Sequence, residues 1–483
     1  MNFSIIKYFC GIVLRFEAGF MALSLVVSFI YGEYDVALIF IGTIAVMLGI
    51  SFLLAFRKPA DTSFYAKEGV VTVSVSWILL SLFGAMPFFL SGAIPSFIDS
   101  LFESVSGFTT TGASVLIDVE IVEKSLLFWR SFTHWIGGMG VLMFIMAILP
   151  MSKADPLHLM RAESPGPTTE KLVPKASETA KILYSIYIGL SLLEVILLLA
   201  GGMPLYDSVV HMFGTAGTGG FSMKNASIGA YDSVYLEVVV TVFMILFGVN
   251  FSAYFLLLAR KFKRFLTFEE LRVYLAIIII AMAVIAFNIT GTVYQSLGES
   301  LRHSSFQVAS VMTTTGFSTD DFNQWPTFSR FLLLLLMFIG ASAGSTGGGI
   351  KVSRFMIMAK ALKREAMHIL HPKAVQKIKL DKMPVSEDVI RGTAIFMVVF
   401  LGITAVSIVL VSLNGFDMDT SVSAVVACIN NIGPGLGVVS PVGNYSGFSV
   451  FSKIVLSLNM LIGRLEIYPM LLLISPAVWH RKA

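Results

Sequence analysis

The sequence predicts an all-α polytopic membrane protein: four tandem helix–pore loop–helix repeats around a central pore, preceded by an N-terminal two-helix hairpin. Three observations predict it. Hydrophobic residues make up 56% of the 483-residue chain and charged residues 13%, with a mean hydropathy of +0.83, whereas soluble domains carry about 25% charge. Four segments recur, each carrying a glycine next to last: Thr-Thr-Thr-Gly-Ala at 109–113, Ala-Gly-Thr-Gly-Gly-Phe at 216–221, Thr-Thr-Thr-Gly-Phe at 313–317 and Asn-Asn-Ile-Gly-Pro at 430–434. They align Gly112, Gly220, Gly316 and Gly433, at intervals of 108, 96 and 117 residues. Each lies between apolar stretches long enough to cross a bilayer.

In chain order, ten candidate spans cover 18–30, 36–56, 70–91, 126–149, 182–203, 234–259, 273–289, 331–360, 393–413 and 454–474. The first two form a retained hairpin over 1–65. No small-x-small cleavage site precedes the second span, so this is not a signal peptide. The repeats then occupy 66–177, 178–266, 267–386 and 387–483. Of the 34 Lys and Arg, 27 fall in the N-terminus, 57–68, 151–181, 260–272, 351–391 and the C-terminus. The positive-inside rule places these segments, with both termini, in the cytoplasm. All four glycine segments then face outward. The net charge of +4 follows from this topology and implies no nucleic-acid partner. Cys10 and Cys428 are far apart, which excludes a disulfide framework and a zinc site.

Within each repeat a helix of about ten residues precedes the glycine, too short to span. Asp99, Asp207 and Asp419 lie thirteen or fourteen residues before the aligned glycine, with His303 in the third repeat. An aspartate there suits an N-cap or first turn. Six residues before the glycine sit Ser106, Gly214, Ser310 and Ala427, small enough for close helix approach. The predicted arrangement is a re-entrant helix with its negative end toward the axis. The following loops are the candidate filter: Thr110, Thr111, Gly112; Thr218, Gly219, Gly220; Thr314, Thr315, Gly316; Asn431, Ile432, Gly433. Glycine permits φ > 0, so successive carbonyls can point one way. A ring of carbonyls replaces the hydration shell of an alkali cation. Threonine hydroxyls add ligands or brace the loops.

These motifs, with His-Trp-Ile-Gly-Gly-Met-Gly at 134–140, Ala-Gly-Ser-Thr-Gly-Gly-Gly at 343–349 and Gly-Arg-Leu-Glu at 463–466, resemble the TrkH/KtrB/HKT superfamily of potassium transport proteins. The N-terminal hairpin and the length point to the TrkH branch. The resemblance covers nearly the whole chain. It implies potassium as the transported ion, bound at the filter residues, and a cell inner membrane location. With glycine at Gly112, where some plant relatives that move sodium carry serine, it implies preference for potassium. The second loop, with Gly219, and the fourth, with Asn430, Asn431 and Ile432, depart from the Thr-Thr pattern. The resemblance also implies a homodimer and a TrkA-like cytosolic regulatory ring that binds NAD(H) or ATP/ADP. No cofactor is expected in this chain, and the connections 151–177 and 362–390 are its candidate docking surfaces for that ring.

The eighth span carries Gly340-Ala-Ser-Ala-Gly-Ser-Thr-Gly-Gly-Gly349. Each glycine costs a helix about 1 kcal/mol against alanine, so an intramembrane loop is expected. A close helix-packing face is the alternative. Ile350 stands where a Walker lysine must be. The resemblance supports a mobile gating loop containing Gly344, Ser345, Thr346, Gly347, Gly348 and Gly349. Lys351 either belongs to that gate or snorkels to the surface. Arg464 lies near the middle of the last span, where a charge must face a cavity. It either opposes cation passage beside the glycine loop or joins a buried ion pair. Glu466, two residues on, faces elsewhere. Glu103 either concentrates cations or braces the first loop.

The reading is potassium uptake through a four-loop filter, gated by the glycine-rich loop and Arg464 under cytosolic nucleotide control. The alternative is a proton- or sodium-coupled secondary transporter (a symporter), which needs intramembrane acids and inverted halves. Few acids fall in the predicted spans, and the repeats run parallel. An enzyme is not expected, because His134 and His211 have no ligand cluster around them.

Overall fold

The computed structural model describes residues 1–60, 64–140, 176–374 and 376–479. The part of the fourth span beyond 140 and the connection over 141–175 lie outside the described residues. Helices Phe3–Tyr31 and Tyr34–Ala55 form the N-terminal hairpin. Gly32 turns the chain at φ 72°, with its N–H returned to the first helix. A Cβ on Gly11 would meet that of Ala55 at 2.7 Å, so the two helices cross closely there. Ser51 stitches the crossing, donating to the Gly11 carbonyl at 2.6 Å.

The four repeats share one plan. Outer helices run over Ala66–Gly84, Ala176–Ala200, Glu269–Ile289 and Glu387–Ser412. Pore helices follow at Phe97–Phe108, Leu205–Gly217, Leu297–Met312 and Met418–Ile429. At 12 to 16 residues and 1.5 Å per residue they reach about 18–24 Å, short of a ~30 Å hydrocarbon core. Ser96, Ser296 and Asp417 cap three of them, each accepting a backbone N–H with its side chain. Pro204 precedes the second pore helix, Leu205–Gly217. Asp99, Asp207 and Asp419 therefore occupy first turns, not caps.

Inner helices begin at Lys124, Val234, Thr327 and Val450. Six of the ten expected spans are unbroken apolar helices. The other four are these inner helices, and each of them ends or breaks partway. The first stops at Gly140, φ 84°. The second bends by 93° between Val234–Phe247 and Phe251–Leu258. The third stops at Ile339 and resumes at Val352. The fourth stops at Arg464, passes Glu466 and Ile467 at positive φ, and resumes at Tyr468. Only the third break was evident from glycine content. The second rests on Gly248 with Asn250 capping the next helix, and the fourth on Pro469 in the new first turn.

Charges join successive repeats at one position. The fourth residue of three inner helices reaches the next pore helix in the ring: Lys453 to Asp99 at 2.7 Å, Arg330 to Asp419 at 3.9 Å, and Glu237 to Arg302 at 2.6 Å with the polarity reversed. Lys453–Asp99 ties the last repeat to the first. Lys453 is 5% and Asp99 24% exposed at the side chain, so this pair lies between an exposed pair, about 0–1 kcal/mol, and a buried one, where losing a partner costs about 3–5 kcal/mol. Lys453→Ala should therefore lower stability by about 1–3 kcal/mol in a detergent melt. Exchanging the two residues, Asp99→Lys with Lys453→Asp, should recover part of that loss. No loss on Lys453→Ala would show that the contact contributes nothing.

Candidate functional site

Each pore helix ends in the same hydrogen-bonded turn. Thr110, Thr218, Thr314 and Asn431 have φ of 55°, 55°, 59° and 56°. The N–H of the next residue turns back to a carbonyl five residues earlier: Thr111 to Ser106 at 2.9 Å, Gly219 to Gly214 at 2.8 Å, Thr315 to Ser310 at 2.8 Å and Ile432 to Ala427 at 2.9 Å. This is the Schellman closure, ordinarily built on glycine. β-Branched threonine in the left-handed region carries strain of order 1–3 kcal/mol, held here by the closure. The small residues six before the glycine are the acceptors of these bonds. The aligned glycines follow at φ 80°, 73°, 84° and 92°.

The four loops close a ring. A Cβ on Gly112 would fall on the carbonyl of Gly219, one on Gly220 on that of Thr315, one on Gly316 on that of Ile432, and one on Gly433 against that of Thr111. Each loop's glycine thus receives the middle carbonyl of the next loop, in the order one, two, three, four and back to one. All twelve predicted loop residues belong to this ring, and all four glycines line one open cavity above it.

The departures in sequence keep the same backbone. A Cβ on Gly219 would meet the His134 ring at 2.5 Å. The imidazole from the first inner helix thus fills the space a threonine side chain takes elsewhere, and its Nδ1 lies 2.7 Å from the Gly107 carbonyl. Asn431, a residue tolerant of positive φ, donates from Nδ2 to Thr111 Oγ1 at 2.9 Å and to the Met460 carbonyl at 3.0 Å. The Gly433 carbonyl accepts from the Tyr445 hydroxyl at 2.7 Å. Hydroxyl pairs Thr109–Thr111 and Thr313–Thr315 brace the first and third loops. Thr110 Oγ1 and Asn431 Oδ1 are buried without a partner.

Glu103 braces the first loop. It is 1% exposed and accepts from Ser114 Oγ, the Val115 N–H and Arg130 Nε at 2.6–2.9 Å. Arg130 continues to the Ser222 carbonyl and covers the Phe221 ring at 3.5 Å, joining repeats one and two. At the outer edge, the hydrogen bond from Lys224 holds the Glu120 carboxyl below its usual range, and Asn225 does the same for Asp118.

Residues 340–351 form a loop, as expected, with Gly340, Gly344 and Gly349 at positive φ. Its ends meet: a Cβ on Gly340 would lie 2.6 Å from the Gly348 carbonyl. The middle lies against the ring. The Gly348 N–H donates to Thr314 Oγ1 at 2.6 Å, and a Cβ on Gly348 would press on the Asn430 carbonyl at 2.5 Å. Thr346 Oγ1 donates to the Phe247 carbonyl, and Ser345 Oγ to Ser342. Lys351 does not snorkel. It is 1% exposed and its ammonium turns back onto the Gly347 carbonyl.

Arg464 reaches this loop. Its Nη1 donates to the Thr346 carbonyl at 2.8 Å and its Nη2 to the carbonyls of Gly137 and Gly138 at 2.5 and 2.7 Å. One guanidinium from repeat four therefore joins repeats one and three on the side of the ring opposite the open cavity. Gly463 and Gly137 let the helices come this close: a Cβ on either would strike a pore-helix carbonyl, Ile429 or Phe108. Glu466 instead pairs with Arg354 at 2.5 Å.

Sequence reasoning missed Arg130, Arg354, and the role of His134 behind Gly219. It also undercounted buried acids, since Glu17, Glu68, Glu103, Glu194, Glu237 and Glu270 are all buried. Four of them accept from cations or backbone N–H groups. Among the described residues no group of His, Cys, Asp and Glu is placed to hold a metal ion.

Thr314→Val should leave the Gly348 N–H unpaired, at a cost of about 1–3 kcal/mol. Amide exchange over 344–350 should accelerate, while Thr314→Ser should exchange like the native chain. Equal exchange in all three would show that the hydroxyl does not hold the loop.

A family model described as "Cation transport protein", TrkH, matches residues 37–481. The Trk system potassium uptake protein TrkH of Salmonella typhimurium is 36% identical over 99% of this chain and 100% of its own length. TrkH of Halomonas elongata is 33% identical over 100% of both. The fold matches the crystal structure of the potassium transporter TrkH from Vibrio parahaemolyticus with a TM-score of 0.89, at 31% identity over 99% of this chain and 100% of that one. The N-terminal hairpin is thus within the similarity to full-length relatives. The chain belongs to the TrkH family of cation transport proteins, which are transporters and not enzymes.

Proposed function

We propose that this chain carries potassium into the cell through the ring formed by Thr110–Gly112, Thr218–Gly220, Thr314–Gly316 and Asn431–Gly433. The observation that carries the reading is the closed cycle of glycine–carbonyl contacts among four identically shaped loops. With the N–H groups drawn back into the pore helices, backbone oxygens are the groups available to replace water around an alkali cation. The unpartnered Thr110 Oγ1 adds a donor at the same level. The names of the relatives support potassium as the ion.

The segment Gly344–Gly349, with Lys351 and Arg464, is the gate of this reading. The loop and the guanidinium together obstruct the path beyond the ring. At an effective dielectric of about 20, a unit positive charge ~6 Å from the ion raises its energy by ~3 kcal/mol. Opening moves both aside. The cavity above the ring faces outward, the Lys/Arg-rich ends face the cytoplasm, and the membrane potential supplies ~2.3 kcal/mol per charge per 100 mV. The chain acts as a homodimer in the inner membrane. A TrkA-like ring carrying NAD(H) or ATP/ADP docks on the basic surface over 362–390 and controls the gate. Of the other docking candidate, 151–177, all but the last two residues lie outside the described residues.

Potassium and sodium flux through purified protein in liposomes tests the reading. The native chain should prefer potassium. Gly112→Ser forces a side chain to φ 80° and onto the Gly219 carbonyl, and should reduce that preference at least about tenfold, equivalent to ~1.4 kcal/mol. Arg464→Gln should raise resting potassium flux on the order of 10- to 100-fold. Unchanged selectivity in Gly112→Ser would remove the ring from the ion path. A resting flux that does not rise in Arg464→Gln would remove the arginine from the gate.

A further inference from the structure

Residues 258–272 connect the second inner helix to the third outer helix at the end of the bundle away from the ring. They follow the 93° bend and contain the short helix Phe262–Leu266. Arg260, Lys261, Lys263, Arg264 and Arg272 are exposed, and none of the five makes an ion pair among the described residues. The two acids nearby are engaged elsewhere. Glu269 holds Lys360 Nζ at 2.5 Å. Glu270 accepts the Ala343 N–H at 2.8 Å and the Ser353 N–H at 3.1 Å. Leu258, Phe262 and Leu266, spaced four apart, are 68%, 59% and 68% exposed.

We propose that this segment is a docking surface for anionic phospholipid headgroups and that its occupancy biases the 340–349 loop. The second half rests on the reading of that loop as the gate. Unpaired cations interleaved with large exposed apolar side chains match the headgroup–acyl boundary, which takes the charge as phosphate and the rings and leucines as hydrocarbon. An acidic soluble protein would complement the charge alone. The segment is also bounded by two membrane helices, so it is held at the bilayer edge.

The bend that leads into the segment and the acid near its far end hold the same loop. On one side the Phe251 N–H donates to the Gly344 carbonyl at 3.0 Å and the Gly248 carbonyl accepts the Ser342 N–H at 3.0 Å. On the other side Glu270 holds Ala343 and Ser353. A surface that binds headgroups better with the loop in one position shifts the loop toward that position.

The test compares the native full chain with Lys261→Gln/Lys263→Gln/Arg264→Gln. Both are placed in vesicles of phosphatidylcholine, with and without phosphatidylglycerol. Two quantities are read: phosphatidylglycerol retained on the protein after detergent extraction, and potassium flux. Each basic residue near an anionic surface contributes about fivefold, so the variant should retain this lipid on the order of 100-fold less tightly. Native flux should differ between the two vesicles, and flux through the variant should not. Equal lipid retention by both proteins overturns the docking surface. Lost retention with the flux difference intact overturns the link to the loop. A native flux that ignores phosphatidylglycerol and changes only when a cytosolic protein is added assigns the surface to a soluble partner and overturns the proposal. Retention is measured without conduction, so it stands or fails separately from the potassium reading.

Discussion

Everything at the centre of this molecule depends on one hydrogen bond made four times. A backbone N–H two or three residues past each pore helix returns to a carbonyl five residues earlier. That bond ends the helix, fixes a left-handed residue, and spends the amide donors of the loop on the helix. Because the chain then turns through a glycine at positive φ, each loop can lie flat against the next without a side chain between them. The ring needs no ion pair of its own. Its geometry comes from backbone closure, and its tightness from four missing Cβ atoms.

The surrounding structure holds four such turns in register. Ion pairs at the fourth residue of the inner helices link neighbouring repeats, with the sign reversed where Glu237 meets Arg302. Arg130 and Glu103 brace the first loop against the second. Beneath the ring the inner helices approach the pore-helix ends closely. Gly137 and Gly463 lie against those ends, and the third helix gives way to a loop that touches Thr314. The same breaks expose carbonyls at Gly137, Gly138 and Thr346, and the Arg464 guanidinium collects them. The Thr314 hydroxyl therefore holds the loop to the ring, and the Arg464 guanidinium holds it to the first inner helix.

Much of this was legible in the sequence. Apolar stretches located the six unbroken apolar helices among the described residues, because hydropathy at helix length is a strong signal. The recurring glycines located the ring, because only glycine meets both the φ and the contact it requires. Gly340–Gly349 and Arg464 were legible as a weak helix and an isolated charge, and the structure brings them together. What the sequence hid was partnership. Nothing in the Gly219 position names His134 as the reason for it, since the two are 85 residues apart and meet only in the folded chain. Glu270 reads as an ordinary acidic helix start, yet its carboxylate holds Ala343 within the loop and Ser353 in the helix after it. Lys351 reads as a residue with a cytoplasmic exit, but the turn at φ 76° directs it inward. Breaks in inner helices two and four rest on Gly248 with Asn250 and on Pro469, too little composition to stand out.

The most direct test of the central claim is crystallographic: anomalous diffraction from protein soaked in rubidium, a heavier substitute for potassium. The account predicts a density peak on the axis enclosed by the loops of Gly112, Gly220, Gly316 and Gly433, displaced by potassium and not by sodium. A peak elsewhere, or one that sodium removes equally well, would contradict it.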